Sequence, residues 1–263
     1  MKLRIATYNI HKGVSSFGGR SRILALKQAI DDLDAELVFL QEVQGRHDLR
    51  AARHALWPSE AQHDFLAGAT RHCAYGMNAV YNHGHHGNAL LSRFEIASSS
   101  NRDVSDHAFE QRGILHCVVQ TPAVAVHCYV VHLGLFAAGR RRQTEGLIET
   151  IEASAPPGAP IIIAGDFNDW RDHLSVALQS RLGVTEVFDD GAPKLRLSDY
   201  LRRKASRLPK AMPARTFPAG LPLLRLDRIY VRGFTVESAE VPHGVLWAKL
   251  SDHAPIVATL RLD

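Results

Sequence analysis

Ala159-Pro160-Ile161-Ile162-Ile163-Ala164 runs directly into Gly165-Asp166-Phe167-Asn168. The apolar half reads as a buried strand. Successive side chains of a strand point to opposite faces, so Asp166 and Asn168 leave its C-terminal end on one side and Phe167 on the other. An acid and an amide side by side can hold a water, a metal or a phosphate oxygen. The same residues also make an ordinary polar turn, with Asn168 or Asp169 capping a helix near Trp170. The rest of the chain has to separate the two readings.

Working outward, Ala155-Pro156-Pro157-Gly158 ends a helical pattern over Arg140–Ile151, because neither proline can continue a helix. Further helical patterns cover Arg22–Leu33, with Ile23, Leu26 and Ile30 on one stripe, and about His173–Leu182. Short apolar runs supply strands at Leu3–Asn9, Leu37–Glu42, Gly76–Val80, Asn88–Leu91, Ile114–Val119, Val124–His132, Ile161–Gly165, Leu226–Val231 and Pro255–Leu260. Many strands with few helices argue for mixed sheets packed face to face with helices outside. No linker or repeat divides the chain, so residues 1–263 are expected to form one domain.

With 46% hydrophobic residues the chain can build a large core, yet it has no apolar run long enough to span a membrane. Met1–Ile5 lacks the hydrophobic stretch of a secretory signal, which makes the cytoplasm the expected compartment. Cys117 and Cys128 lie in apolar runs and are expected as reduced core residues; Cys73 leaves an odd count without metal-type spacing. The net charge of +4 suits a phosphate-bearing partner. His83, His85 and His86 read as a surface loop rather than a metal site. Residues 191–215 hold eight Lys or Arg against one acid, Asp199. That stretch is either a solvated, mobile insertion or a basic surface facing an anion.

Several other strand ends share the polar tip of the opening stretch. The first strand ends at Asn9, the second at Gln41-Glu42, and Val126–Val131 ends at His132. Asp227 precedes Ile229-Tyr230-Val231, and Ser251-Asp252-His253 precedes the last strand. A carboxylate or imidazole beside branched apolar residues is costly unless something pairs with it. So many together are what a metal site in a cleft above two sheets needs.

In order along the chain, TYN (7–9), QEV (41–43), GNALLSR (87–93), HLG (132–134), GDFN (165–168), LDRIYV (226–231) and SDHAP (251–255) resemble the endonuclease/exonuclease/phosphatase superfamily. The resemblance implies an α/β (α+β) four-layer sandwich of the deoxyribonuclease I type, two packed mixed β-sheets flanked by helices. It implies hydrolysis of phosphoric esters with Mg²⁺, or Mn²⁺ as substitute. Glu42 would be the main metal ligand, helped by Asn9 and Asp252. Asp166 and Asn168 would position the attacking water, and His253, held by Asp227, or Asp166 itself would take its proton. His132 would donate to a phosphate oxygen, with Asn88 and Arg112 lining the same cleft.

Departures from the family's branches narrow the expectation. His132 stands where exonuclease III-type enzymes carry a tyrosine, and Asn88 stands near the position of a glutamate in the deoxyribonuclease I branch. Arg215-Thr216-Phe217-Pro218 ahead of Leu-Asp-Arg-Ile-Tyr resembles a group of small bacterial members. The expected activity is a phosphodiesterase acting as a monomer, with nucleic acid favoured over a lipid headgroup or a phosphomonoester. A catalytically silent scaffold on the same fold is the competing class.

Overall fold

The computed structural model describes residues 1–15, 20–55, 57–107, 110–189 and 214–263. All of the basic stretch 191–215 except Ala214 and Arg215 therefore lies outside the described residues.

Among the described residues twelve strands form two six-stranded sheets. The first holds, in chain order, β1 (Lys2–Asn9), β2 (Leu37–His47), β3 (His72–Tyr81), β4 (Gly84–Ser92), β11 (Phe234–Glu240) and β12 (Ile256–Leu262). Their spatial order is β11-β12-β1-β2-β4-β3. The second holds β5 (Glu95–Asp103), β6 (Gly113–Gln120), β7 (Ala125–His132), β8 (Ile161–Asp166), β9 (Thr185–Glu186) and β10 (Asp227–Arg232), ordered β5-β6-β7-β8-β10-β9. Both sheets are mixed: β1 runs parallel to β2 and β7 to β8, while β12 and β10 pair antiparallel with β1 and β8. Among the described residues six helices flank them: α1 (Ile23–Asp32), α2 (Asp48–Arg53), α3 (Gln62–Ala67), α4 (Ala137–Ser154), α5 (Ser175–Leu182) and α6 (Val245–Leu250).

The alternation of each strand sorts its residues into layers. Leu3, Ile5, Leu37, Phe39 and Leu90 meet Leu115, Val126, Val130, Ile162, Ala164 and Ile229 in one apolar core between the sheets. The intervening residues face outward. Tyr8, Val38 and Leu40 pack under Leu26 and Ile30 of α1, Leu66 of α3 and Trp247 of α6. Tyr129, Val131 and Ile163 pack under Leu147 and Ile151 of α4 and Leu178 of α5. Helices, sheet, sheet and helices make the four layers that the sequence implied.

Two local expectations are corrected. His85 and His86 belong to β4 rather than to a surface loop, because β4 extends back to Gly84. No helix starts at Trp170: Asp169 accepts the backbone N–H of Leu174 through Oδ2 at 2.9 Å, and α5 begins at Ser175. The mostly exposed β5 and β11 had no apolar run to mark them.

Candidate active site

The polar tips gather because they continue the inner face of each strand past the end of the core. On β8, Ile162 and Ala164 face the opposite sheet, so Asp166 faces it as well. His132 of β7 and Asp227 of β10 are the register partners of Asp166 on either side. Val130 and Ile229 place them on the same inner face. Gly165 lets β8 approach this closely: it holds φ +151°, and a Cβ there would lie 1.9 Å from the Val131 carbonyl oxygen. On β1, Leu3 and Ile5 are inner residues, and so is Asn9.

Glu42 breaks the rule. Leu37 and Phe39 point inward, so simple alternation would turn Glu42 to the outer helices. A β-bulge intervenes: Leu40 pairs with Ala89 and Val43 with Gly87, which leaves Gln41 and Glu42 opposite Asn88 alone. Glu42 takes φ +57° there, and a bulge of this kind re-aims a side chain. Glu42 thereby lines the cleft with Asn9, His132, Asp166, Asn168 and His253. The cleft measures about 330 Å³, and Arg112, Leu135, Trp170, Phe217, Leu224 and Leu226 form its walls. A larger cavity of about 400 Å³, between Phe188, Arg215 and His243, has none of the polar tips in its wall.

Asp166 Oδ2 is the meeting point. Asn9 donates to it from Nδ2 at 3.2 Å, while His132 Nε2 and His253 Nε2 stand 3.5 and 3.7 Å away. The other oxygen, Oδ1, accepts the backbone N–H of Asn168 at 2.9 Å, and Asn168 Nδ2 donates to the Leu133 carbonyl. Asn168 sits at φ +52°, so it reaches the cleft through a tight turn instead of extended alternation. Phe167 is buried in the outer core beside Tyr230.

His253 is held from behind. Its Nδ1 pairs with Asp227 Oδ2 at 2.8 Å, and its backbone N–H donates to Ser251 Oγ. Ser251 in turn donates to the Asn9 carbonyl, which ties the last strand's approach to β1. Thr216 donates to the same Asp227 oxygen, and the Phe217 ring lies 5.1 Å from the imidazole. Thr216, Phe217, Ser251 and Lys12 were not singled out as site residues from the sequence. The motif Arg215–Pro218 was the available signal for the first two.

The electrostatics follow from these partners. Burial would lower His253, but Asp227, Asp166 and Asp252 outweigh it and raise it to about 10. Burial also lifts Asp166, to about 6, with His253 opposing and Asp227 adding to the rise. Glu42 moves the other way: burial is outweighed chiefly by the Lys12 ammonium, and the group falls to about 2. His132 is buried, with Arg112 nearby, and drops well below its ordinary value. It is therefore neutral at pH 7, and a neutral imidazole can donate one N–H.

Asp252 is placed differently from the rest, whereas Asn88 lines a small pocket with Glu42, Arg112 and His132. Asp252 turns to His11, with Oδ1 3.1 Å from Nδ1. Asn88 faces the inner layer, but its Nδ2 donates to the carbonyls of Gly113 and Val130, and its Oδ1 is buried without a hydrogen-bond partner. Arg112 stands at the wall of the cleft, 3.7 Å from Glu110.

The donor set suits a hard divalent cation. Glu42 Oε2 is buried and accepts no hydrogen bond. Asn9 Oδ1 accepts only the His11 backbone N–H at 3.1 Å among the described residues, leaving a second lone pair. Ligand atoms of Asp166, Asp227 and His253 also lie within 4.8 Å of one another. Oxygen-rich sites of this kind fit Mg²⁺ or Mn²⁺.

Two mixed sheets with a carboxylate–histidine cleft at one rim define a class, and the sequence agrees with it. The chain belongs to the Endonuclease/Exonuclease/phosphatase family, whose profile matches residues 6–253. It is 40% identical to the Escherichia coli K12 protein YbhP over 98% of its own length and 96% of that protein's. The crystal structure of an endonuclease/exonuclease/phosphatase from Bacteroides vulgatus superposes with a TM-score of 0.74 at 17% identity, covering 100% of both chains. Bacteroides thetaiotaomicron mannosyl-6-phosphatase gives 0.72 at 18% identity, over 99% of this chain and 100% of that one. The family comprises hydrolases of phosphoester bonds, including phosphodiesterases, nucleases and phosphatases, and its enzymes generally use divalent metals. Among the described residues no helix is long and apolar enough to cross a membrane.

Proposed function

We propose that this chain is a divalent-metal-dependent phosphodiesterase that attacks phosphorus with water. One observation carries the reading: Asp166 Oδ2 is approached by Asn9, His132 and His253 from three separate elements, all within 3.7 Å. A purely structural acid has no need of two imidazoles beside it.

A cation, Mg²⁺ with Mn²⁺ as substitute, would be held by Glu42 and Asn9 and would neutralise charge growing on the phosphoryl oxygens and leaving group. Asp252, turned to His11, supports that end of the cleft without being a ligand in this reading. Asp166 faces the position from which an attacking water's proton can be taken, and the protonated Nε2 of His253 stands beside it as a donor. Asp227 and Thr216 behind His253 fix which nitrogen is presented. Neutral His132 donates to a phosphate oxygen, and Arg112 brings a permanent positive charge to the same wall.

Nucleic acid is the preferred substrate and the cytoplasm the compartment, with the chain acting as a monomer. The net charge of +4 favours a polyanion. Trp170 supports the same choice: it is 47% exposed at the cleft and seated over the Arg140 guanidinium, so it offers a ring face on which a base can stack. A second reading, a phospholipid headgroup, is favoured by the exposed Leu135, Phe136, Leu221 and Leu223 around the same region.

The test of the reaction class is hydrolysis of bis(p-nitrophenyl) phosphate. Turnover with Mg²⁺ that disappears with EDTA and in His253→Ala is expected; turnover surviving both treatments overturns the reading. A panel of plasmid DNA, RNA, phosphatidylinositol phosphates and sphingomyelin then separates polymer from lipid.

A further inference from the structure

The chain itself supplies a cation to Glu42. Lys12 Nζ lies 3.2 Å from Glu42 Oε2, the buried oxygen that accepts no hydrogen bond. This lysine is not a loose surface side chain that happens to fall there. Its backbone stands at φ +60°, between His11 at +45° and Gly13 at +68°. Residues other than glycine hold such angles only where their surroundings impose them.

Two side chains impose it. Buried Gln62 donates from Nε2 to the Lys12 carbonyl at 3.0 Å and accepts the Gln44 backbone N–H through Oε1 at 2.9 Å. Arg50 repeats the pattern, donating from Nη1 to the Lys12 carbonyl at 3.3 Å and to Gln44 Oε1 at 2.6 Å. Gln44 lies two residues beyond Glu42, just past the bulge that turns Glu42 into the cleft. The same pair of side chains therefore clamps the lysine's backbone against the strand that carries the carboxylate. One charge is built to face the other.

We propose that Lys12 is a tethered competitor for the divalent cation, occupying the Glu42 carboxylate until an ion displaces it and so setting the affinity of the metal centre. The inference rests on the reading of Glu42 as the ion's main ligand. An ammonium and a divalent ion repel each other at one carboxylate edge, so binding requires the ammonium to withdraw. The four-carbon stem permits that movement while the clamped backbone stays in place.

Mn²⁺ titration of the chelator-treated full chain, with free Mn²⁺ counted by electron paramagnetic resonance, tests this without any turnover. Lys12→Met keeps the stem and deletes the charge, and it is expected to bind Mn²⁺ roughly tenfold more tightly than wild type. Lys12→Arg keeps a cation and should stay within about threefold of wild type. In EDTA, Lys12→Met should melt below wild type, because a buried carboxylate has lost its partner, and should gain more from saturating Mn²⁺. Lys12→Gln repeats the comparison should the methionine variant fold poorly. Mn²⁺ binding that is lost in Glu42→Gln but no tighter in either neutral variant overturns the role of Lys12 and leaves the metal site standing. Wild type that binds no Mn²⁺, or Glu42→Gln that binds it as wild type does, overturns the metal reading and this proposal with it.

Discussion

The two walls of the cleft are built from the same residue types and tuned in opposite directions. On the side of the second sheet, Asp166 and Asp227 are hydrogen-bonded to Asn9, Asn168, Thr216 and His253, with only Asp227 Oδ1 buried without a partner. On the side of the first, Glu42 has an ion pair with Lys12 and an oxygen that accepts no hydrogen bond. Burial, with Asp227 adding to it, lifts Asp166 to about 6, close to where a proton can be exchanged near neutrality, whereas Glu42 falls to about 2 and stays negative. Two carboxylates pushed apart in this way divide the work: one side handles the proton, the other attracts positive charge.

The division is broken most severely on the proton side. His253→Ala and Asp166→Asn should each lower kcat on bis(p-nitrophenyl) phosphate by roughly a thousandfold, the scale of a lost acid–base group. Neither should abolish Mn²⁺ binding, because Glu42 and Asn9 remain. Equal loss of turnover and metal binding in both variants would show that the two walls are one functional unit.

Glu42→Gln attacks the other wall. Metal affinity should fall by roughly a hundredfold, and activity should recover partially at high Mg²⁺. Recovery by metal is the signature that distinguishes this wall from the His253 side, where added Mg²⁺ should restore nothing.

How legible the two walls were in the sequence differs for a physical reason. Asp166, His132 and Asp227 follow from period-two alternation, since each continues the inner face of an apolar run. The fold followed from those same runs, and its missed strands, β5, β9 and β11, are edges that are short or show little apolar face. On the opposite wall alternation gives the wrong answer for Glu42, because the bulge opposite Asn88 is a property of strand pairing and leaves no mark in the local pattern. The partnership of Lys12 depends on Gln62 and Arg50, 50 and 38 residues away, and is equally invisible until the chain is folded. Family resemblance supplied Glu42; nothing in the sequence supplied its counter-charge.

A gentler probe of the network is Thr216→Val, which removes a donor to Asp227 and keeps the shape of the side chain. Losing one hydrogen bond to a buried carboxylate should cost about 1–3 kcal/mol in urea unfolding. Activity should drop roughly tenfold as His253 loses part of its alignment. A stability loss with unchanged kcat would place Thr216 in the fold alone.

The smallest expected effect separates the cleft from the rest of the molecule by the sign of a histidine's titration. His116 and His127 face each other at 3.1 Å on the outer face of the second sheet, with Tyr129 stacked on His116. Burial, then His127, pushes His116 down to about 4; burial, then Arg232, lowers His127. Both fold best uncharged, so their stability is present above the ordinary histidine value near 6.5 and is lost as pH falls through about 4. His253, raised to about 10 by its acids, contributes stability that is full below 6.5 and lost as pH rises through about 10. His116→Gln should therefore flatten the acid limb of a stability–pH curve by an amount on the order of 1 kcal/mol and leave the alkaline limb alone. His253→Ala should do the reverse. If both substitutions flattened the same limb, the acids around His253 would not be holding its proton, and the contrast between cleft and outer sheet would be lost.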